Sequence, residues 1–166
     1  MGGVVVDRRT LGQAGQVLGR WALRVNPSSG NLHPTEGYLI AGPIPGLAER
    51  PAVYHYAPHE HGLELRRQLG EEEWRGLSEQ LPPNTLLIGL TSVYWRESWK
   101  YGERAFRYCH HDVGHAIAAV SIAAAGLGWD AVMLENLLDP ELASLLGIAS
   151  QDGIEAEHPD CLLAIT

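Results

Sequence analysis

The stretch RYCHHDVGH, Arg107 to His115, sets His111 and His115 four residues apart around Asp112. On a helix that spacing puts both imidazoles on one face, where they can ligate zinc with His110 or Asp112 adjacent. The zinc-hydrolase signature is His-Glu-x-x-His, and the Asp found here reaches about a methylene less far toward a bound water. A catalytic zinc site also needs a third ligand and a base. The competing reading is one face of a buried helix.

A second candidate is RVNPSSGNLHPTEGYL, Arg24 to Leu39, which packs Asn26, Ser28, Ser29, Gly30, Asn31 and His33 between Pro27 and Pro34 just ahead of a strand. Such a stiff loop can hydrogen-bond a phosphate, a ribityl chain or the polar edge of a flavin, with Gly30 permitting close backbone approach. Ser, Asn, Gly and Pro are also the commonest turn residues, so an ordinary polar turn accounts for the composition equally well.

The elements that must position these residues follow from the apolar pattern. Glu36 to Gly42 reads as a short strand, AVYHYAP with HGLEL as a hairpin, and GEEEWRGLSEQ as a helix with Glu71 to Glu73 at its favourable end. Thr85 to Trp95 is a continuous apolar run, expected to be a central strand buried on both faces. From about Arg104 to Ala125 the pattern turns helical, with Phe106, His110, Val113, Ile117, Val120 and Ala124 on one stripe. WDAVML is a further strand. DPELASLLG is a helix with Asp139 as N-cap, Pro140 in its first turn and Gly147 ending it, and DCLLAIT closes as a strand. Mixed in this order, the elements predict an α+β sandwich.

The chain has 166 residues, 45% hydrophobic and 19% charged, which fits one domain with one core. A formal net charge of −8 disfavours nucleic acid and anionic membrane surfaces as partners. Cys109 and Cys161 form no Cys-x-x-Cys pairing, which suits a reducing cytoplasm. The N-terminal stretch lacks a signal-peptide pattern, and the alanine-rich run after His115 is too short to span a bilayer.

Three ordered blocks carry a family resemblance. The loop resembles the Pro-Ser-x-x-Asn-x-x-Pro segment of the FMN-dependent nitroreductase superfamily. Arg24-x-x-Pro27-Ser28-Ser29-Gly30 with His33-Pro34-Thr35-Glu36 is similar to its SagB-type branch, the thiazoline and oxazoline dehydrogenase-like proteins. VYHYAPHEHGLEL resembles that branch's Tyr-His-Tyr hairpin, and WKYGERAFRYCHHDVGHAIAA its Lys-Tyr-Gly-x-Arg-x-x-Arg helix with a following Asp-x-Gly-His. The match runs from about Arg20 to the end, so the chain divides into a shortened N-terminal segment, 1–19, and a nitroreductase-like domain, 20–166. Arg8, Arg9 and Thr10 are expected to be the remnant of the superfamily's phosphate-clamping opening.

The resemblance implies an α/β sandwich with a central mixed sheet flanked by helices, a homodimer with FMN at its interface, and ping-pong hydride transfer through the flavin. Pro27, Ser28, Ser29, Gly30, Asn31 and His33 would line the FMN, Arg24 would lie near its phosphate, and the backbone at Met133 and Leu134 would approach the reactive ring nitrogen. Lys100 and Tyr101 match the pair thought to serve as general bases, since oxidising an azoline removes a proton and a hydride from adjacent carbons. On the residues alone, Lys100 reads equally as a surface group at a helix start and Tyr101 as a packing group. In the same frame Gly114 allows close helix approach, and His115 is a hydrogen-bonded buried histidine. An azoline peptide, a nitroaromatic, a quinone or a small enone could be the substrate, with NAD(P)H or another carrier as electron donor. Two further classes stand beside the enzyme: a flavin-poor scaffold subunit of a peptide-modification complex, and a zinc hydrolase built on His111 and His115. His55, His59 and His61 are expected on a hairpin turn, Trp95 and Trp99 as core or interface anchors, and Cys109 as a small buried hydrophobe.

Overall fold

The computed structural model describes residues 2–4, 22–135 and 137–166. The expected remnant at Arg8 to Thr10 and the boundary between 19 and 20 lie outside the described residues.

A nearly continuous apolar run of strand length calls for cover on both faces, and Leu86–Ser92 (β6) has it. It lies between Thr35–Ala41 (β3) and His158–Ile165 (β8) in a sheet of order β5-β4-β3-β6-β8-β7, completed by Ala52–Ala57 (β4), Gly62–Gln68 (β5) and Ala131–Leu134 (β7). A separate pair joins Gly2–Val4 (β1) to Ala22–Arg24 (β2). Every pairing among the described strands is antiparallel, where a mixed sheet was expected. The reason is local: β4 and β5 form a hairpin, and β3 and β8 both run against β6.

Alternation along the central strands sorts side chains to two layers. Leu87, Leu162 and Ala164 join Tyr38, Ile40 and Val53 under Leu142, Leu145 and Leu146 of Asp139–Leu146 (α4), with Trp74 and Leu77 of Glu71–Ser78 (α1) packed at the margin. On the opposite face, Leu90, Leu163 and Ile165 meet Val113, Ala116 and Ala124 of Ala105–Gly126 (α3). Helices therefore flank both faces, as the α+β reading required. No described helix is long and apolar enough to cross a membrane.

Three local expectations need correction. The strand ends at Ser92, and Trp95–Tyr101 is a helix of its own (α2), with Trp95 and Trp99 exposed on it rather than in the core. The buried side of α3 is carried by Ala105, Cys109, Asp112, Val113 and Ala116, while Phe106 and His110 are exposed. That rotation follows from packing: the first half of α3 abuts α2 and the polar loop as well as the sheet. Asp139 stands inside α4, and the free N–H of Leu138 is met instead by Glu141 Oε2 at 2.8 Å, the reach-back half of a capping box.

Gly89 at the centre of β6 sits beneath Leu146, so that a Cβ there would fall 2.7 Å from Leu146 Cδ2. Leu146 is fully buried and has nowhere to move. Gly89→Ala is expected to cost about 1–3 kcal/mol through overpacking, read as a lower midpoint in urea unfolding at unchanged slope.

Candidate functional site

The polar loop is held from two sides. From α3, the buried Asp112 accepts a hydrogen bond from Ser28 Oγ at 2.6 Å and another from the Ser29 N–H at 3.2 Å. Ser28 Oγ in turn accepts from the His33 N–H at 2.8 Å, which closes the loop on itself. From α2, Arg96 Nη1 donates to the His33 carbonyl at 3.0 Å and pairs with Glu36. These bonds to charged groups fix a 3-10 turn at Ser29–Asn31 whose Gly30 and Asn31 both take positive φ, as does His33.

Gly30 faces Lys100 and Tyr101. A Cβ on Gly30 would lie 2.5 Å from Tyr101 Oη and 2.6 Å from Lys100 Nζ, so only glycine leaves both side chains where they are, and its φ of +62° suits glycine best in any case. Two motifs some seventy residues apart in sequence thus meet at one point. Lys100 Nζ also stands 5.3 Å from the Tyr101 ring centroid, and Tyr101 packs edge-on against Tyr108.

His33 is half-buried, and burial, reinforced by the charges of Arg24 and Arg96, pushes its imidazole below the usual histidine range. It is therefore neutral near pH 7. Its Nε2 lies 2.8 Å from Asn31 Oδ1, which assigns the proton to Nε2 and leaves Nδ1 an acceptor. Nδ1 is buried without a partner among the described residues, and so is Thr35 Oγ1 two residues on. Unmet polar atoms of this kind fit a ligand that brings its own hydroxyl or N–H groups.

Beside the loop runs a mostly apolar groove of about 550 Å³, sharing Asn26 and Thr35 with the loop region and walled by β3, β6, the β4–β5 hairpin and Ala116, Ala119 and Val120 of α3. Arg24 and Glu36 are charged members of its wall. Lys100 and Tyr101 are not part of it, so the groove and the Gly30 face are neighbouring but separate surfaces. Glu36 is buried, which alone would raise its pKa, yet hydrogen bonds from His55 and Arg96 and the charges of Arg96 and Arg24 outweigh that and hold it below the usual range. His55 bridges Glu36 at 3.0 Å and Glu64 at 3.2 Å, so it is a strut of the sheet rather than turn decoration; His59 and His61 are on the hairpin turn as expected.

Other expected positions separate from the loop. Met133 and Leu134 are on the edge strand β7, three strand spacings or roughly 14 Å from β3, and border a recess with Asp160 and Cys161 instead. His111 and His115 are exposed, and Asp112 between them is turned to Ser28 and Ser29. No group of three metal-capable side chains forms among the described residues. His115 is therefore not the buried histidine expected, and no described side chain approaches Gly114. Cys109 is wholly buried, and burial pushes its thiol up to about 12, which keeps it inert. The clamp residues Asp112 and Arg96 escaped sequence reasoning as loop holders; the signal was present only as an acid and a base on helices flanking a serine-rich turn.

The sheet sandwiched by helices recurs in solved structures. The fold superposes on a nitroreductase-like protein from Anabaena variabilis with a TM-score of 0.71 and 26% identity, covering 86% of this chain and 29% of that one. It also superposes on a chain of the E. coli microcin synthetase McbBCD complex with truncated pro-MccB17 bound, at a TM-score of 0.67 and 19% identity, covering 89% and 55%; at that identity the likeness is one of fold alone. Over residues 17–165 the chain matches the Nitroreductase family, and it belongs to that family. It is 30% identical over 128 residues to the nitroreductase-like protein MJ1384 of Methanocaldococcus jannaschii, an overlap of 74% of this chain and 63% of the relative. The chain thus spans less than two thirds of that relative's length.

Ser28→Ala would leave one oxygen of buried Asp112 and the His33 N–H without their partner. The expected cost is about 1–3 kcal/mol, measured by denaturant unfolding at neutral pH, with Ser29→Ala, which keeps the backbone donor, close to wild type.

Proposed function

We propose that the chain is an FMN-dependent oxidoreductase, nearest the SagB-type azoline dehydrogenases, acting as a homodimer in a reducing cytoplasm. The observation that carries this reading is the meeting of Gly30 with Lys100 Nζ and Tyr101 Oη, which joins the ligand loop to the two candidate bases. Family membership supports flavin chemistry in general. The exposed Trp95, Trp99 and Phe106 near the bases, and Trp129, Val132 and Met133 at the far end of α3, are apolar surface of the kind a second copy would cover.

Ser28, Ser29, Gly30, Asn31 and His33 would hold the flavin, with His33 Nδ1 and Thr35 Oγ1 offering the unmet polar atoms, and Arg24 would face its phosphate. A flavin held there by these residues would supply the hydride acceptor and donor. Lys100 or Tyr101 would take the proton from the carbon next to the one that gives up hydride. Met133 and Leu134, distant from the loop within one chain, would reach a flavin at the interface only from the partner copy.

A visible absorption spectrum taken after adding FMN and desalting tests the cofactor. A retained, protein-shifted flavin band is expected. Loss of all flavin on desalting would overturn the oxidoreductase reading and favour a scaffold subunit. With flavin retained, Lys100→Ala and Tyr101→Phe are each expected to slow oxidation of an azoline-bearing peptide by about 10²-fold or more without releasing the flavin.

A further inference from the structure

Glu97 is the one described carboxylate that is wholly solvent-inaccessible and has neither oxygen hydrogen-bonded. It stands on α2 three and four residues before Lys100 and Tyr101, on the same side of that helix. On α3, which packs against α2, Asp112 lies close enough for its charge to reach Glu97; it is also wholly buried, and its two oxygens accept from Ser28 and Ser29. An ionised carboxylate without donors in a dry space is costly, and a second anion beside it makes it more so. Asp112 has donors that stabilise its charge; Glu97 has none. The proton therefore belongs on Glu97.

We propose that Glu97 is a positioning residue: protonated, it leaves Asp112 its grip on the Ser28-Ser29 turn that faces Lys100 and Tyr101, and on losing that proton it sets a second buried anion near Asp112 and loosens the turn. The titratable and charged groups that face Glu97 and Asp112 are Cys109 and His115 of α3, the latter 3.9 Å from Asp112 Oδ1, Lys100 of α2, His33 of the loop and, through Cys109, Asp160 of β8. Burial first, then the Asp112 charge, raise the Glu97 carboxyl to about 7, with Lys100 opposing. The switch thus falls near neutrality.

The sign follows from linkage. A carboxyl that holds its proton more tightly folded than unfolded costs stability as pH rises from its unfolded value of 4.5 to its folded value of about 7, and the cost is constant above that. Glu97→Gln keeps the shape and removes the titration. Titrating groups not coupled to Glu97 are common to both proteins and cancel in the difference.

The test compares the full chain with its Glu97→Gln variant at about pH 5 and about pH 8. Without flavin, the melting temperature of the variant minus that of wild type is expected to grow by at least about 4 °C between the two pH values. Amide hydrogen exchange at Ser29 and His33, whose N–H groups end in the Asp112 and Ser28 bonds, is expected to be several-fold slower in the variant at the higher pH and equal at the lower. Glu97→Met, apolar and of similar length, should behave as Gln does and stands in for it if Gln does not fold. A melting difference that does not change with pH, or equal exchange at the higher pH, would overturn the proposal. The link to function rests on the flavin reading: titration with FMN by fluorescence quenching should show wild type weakening about tenfold more than the variant over the same range. Quenching that weakens equally in both overturns the link. If neither protein quenches FMN at any pH, the flavin reading fails, while the melting and exchange data still decide the role of Glu97.

Discussion

One buried carboxylate organises the site. Asp112 leaves the middle of the longest helix and ends on a serine hydroxyl and a backbone N–H of a loop more than eighty residues earlier in the chain. Removing a charge from water costs several kcal/mol unless it is met by hydrogen bonds, so the arrangement constrains both partners. The helix cannot rotate without exposing an unpaired anion, and the loop cannot lift without doing the same. The exposed Phe106 and His110 follow from this constraint, because turning Asp112 inward turns them out.

The loop's rigidity is shared with the helix that bears the candidate bases. Arg96 joins α2 to the His33 carbonyl and Glu36, and the Val93 N–H bonds the Pro34 carbonyl at 2.9 Å. Lys100 and Tyr101 are thereby four and five residues, about one turn, from a fixed point, and Gly30 supplies the missing volume that lets them close on the turn. A site assembled from a pinned loop and a pinned helix is preorganised in the sense that matters for binding: little freedom remains to be lost when a ligand arrives.

What the sequence made legible was what repeats at short range. The strand at β6, the hairpin, α1, α3 and the closing strand all announce themselves by unbroken apolar runs, alternation or helical period. So does the loop, through its density of Pro, Ser and Gly. The departures share one physical cause, contacts between residues far apart in sequence. Asp112 looked like a metal neighbour because its i+3 partner is a histidine, whereas its actual partners are Ser28 and Ser29. The break between β6 and α2 was hidden because Val93, Tyr94 and Trp95 continue the apolar run, although Trp95 is exposed. Met133 and Leu134 are close to the loop in no local sense, and a pattern within one chain carries no information on what a second copy would bring.

The charges around Glu36 show why an arginine can remain available at the rim of a groove that already holds an acid. Glu36 is paired directly with Arg96 and with His55, and His55 is drawn above its ordinary range chiefly by its Glu36 hydrogen bond. Two cationic partners satisfy one carboxylate, so Arg24, which feels Glu36 at longer range and makes no ion pair within 4 Å among the described residues, is not needed for its neutralisation. Burial lowers the Arg24 pKa, but a guanidinium stays charged well above neutral pH. Arg24 therefore keeps a positive charge, unpaired among the described residues, in the groove wall of a chain whose formal net charge is −8. A guanidinium so placed offers planar N–H donors and a charge to an anionic group entering the groove.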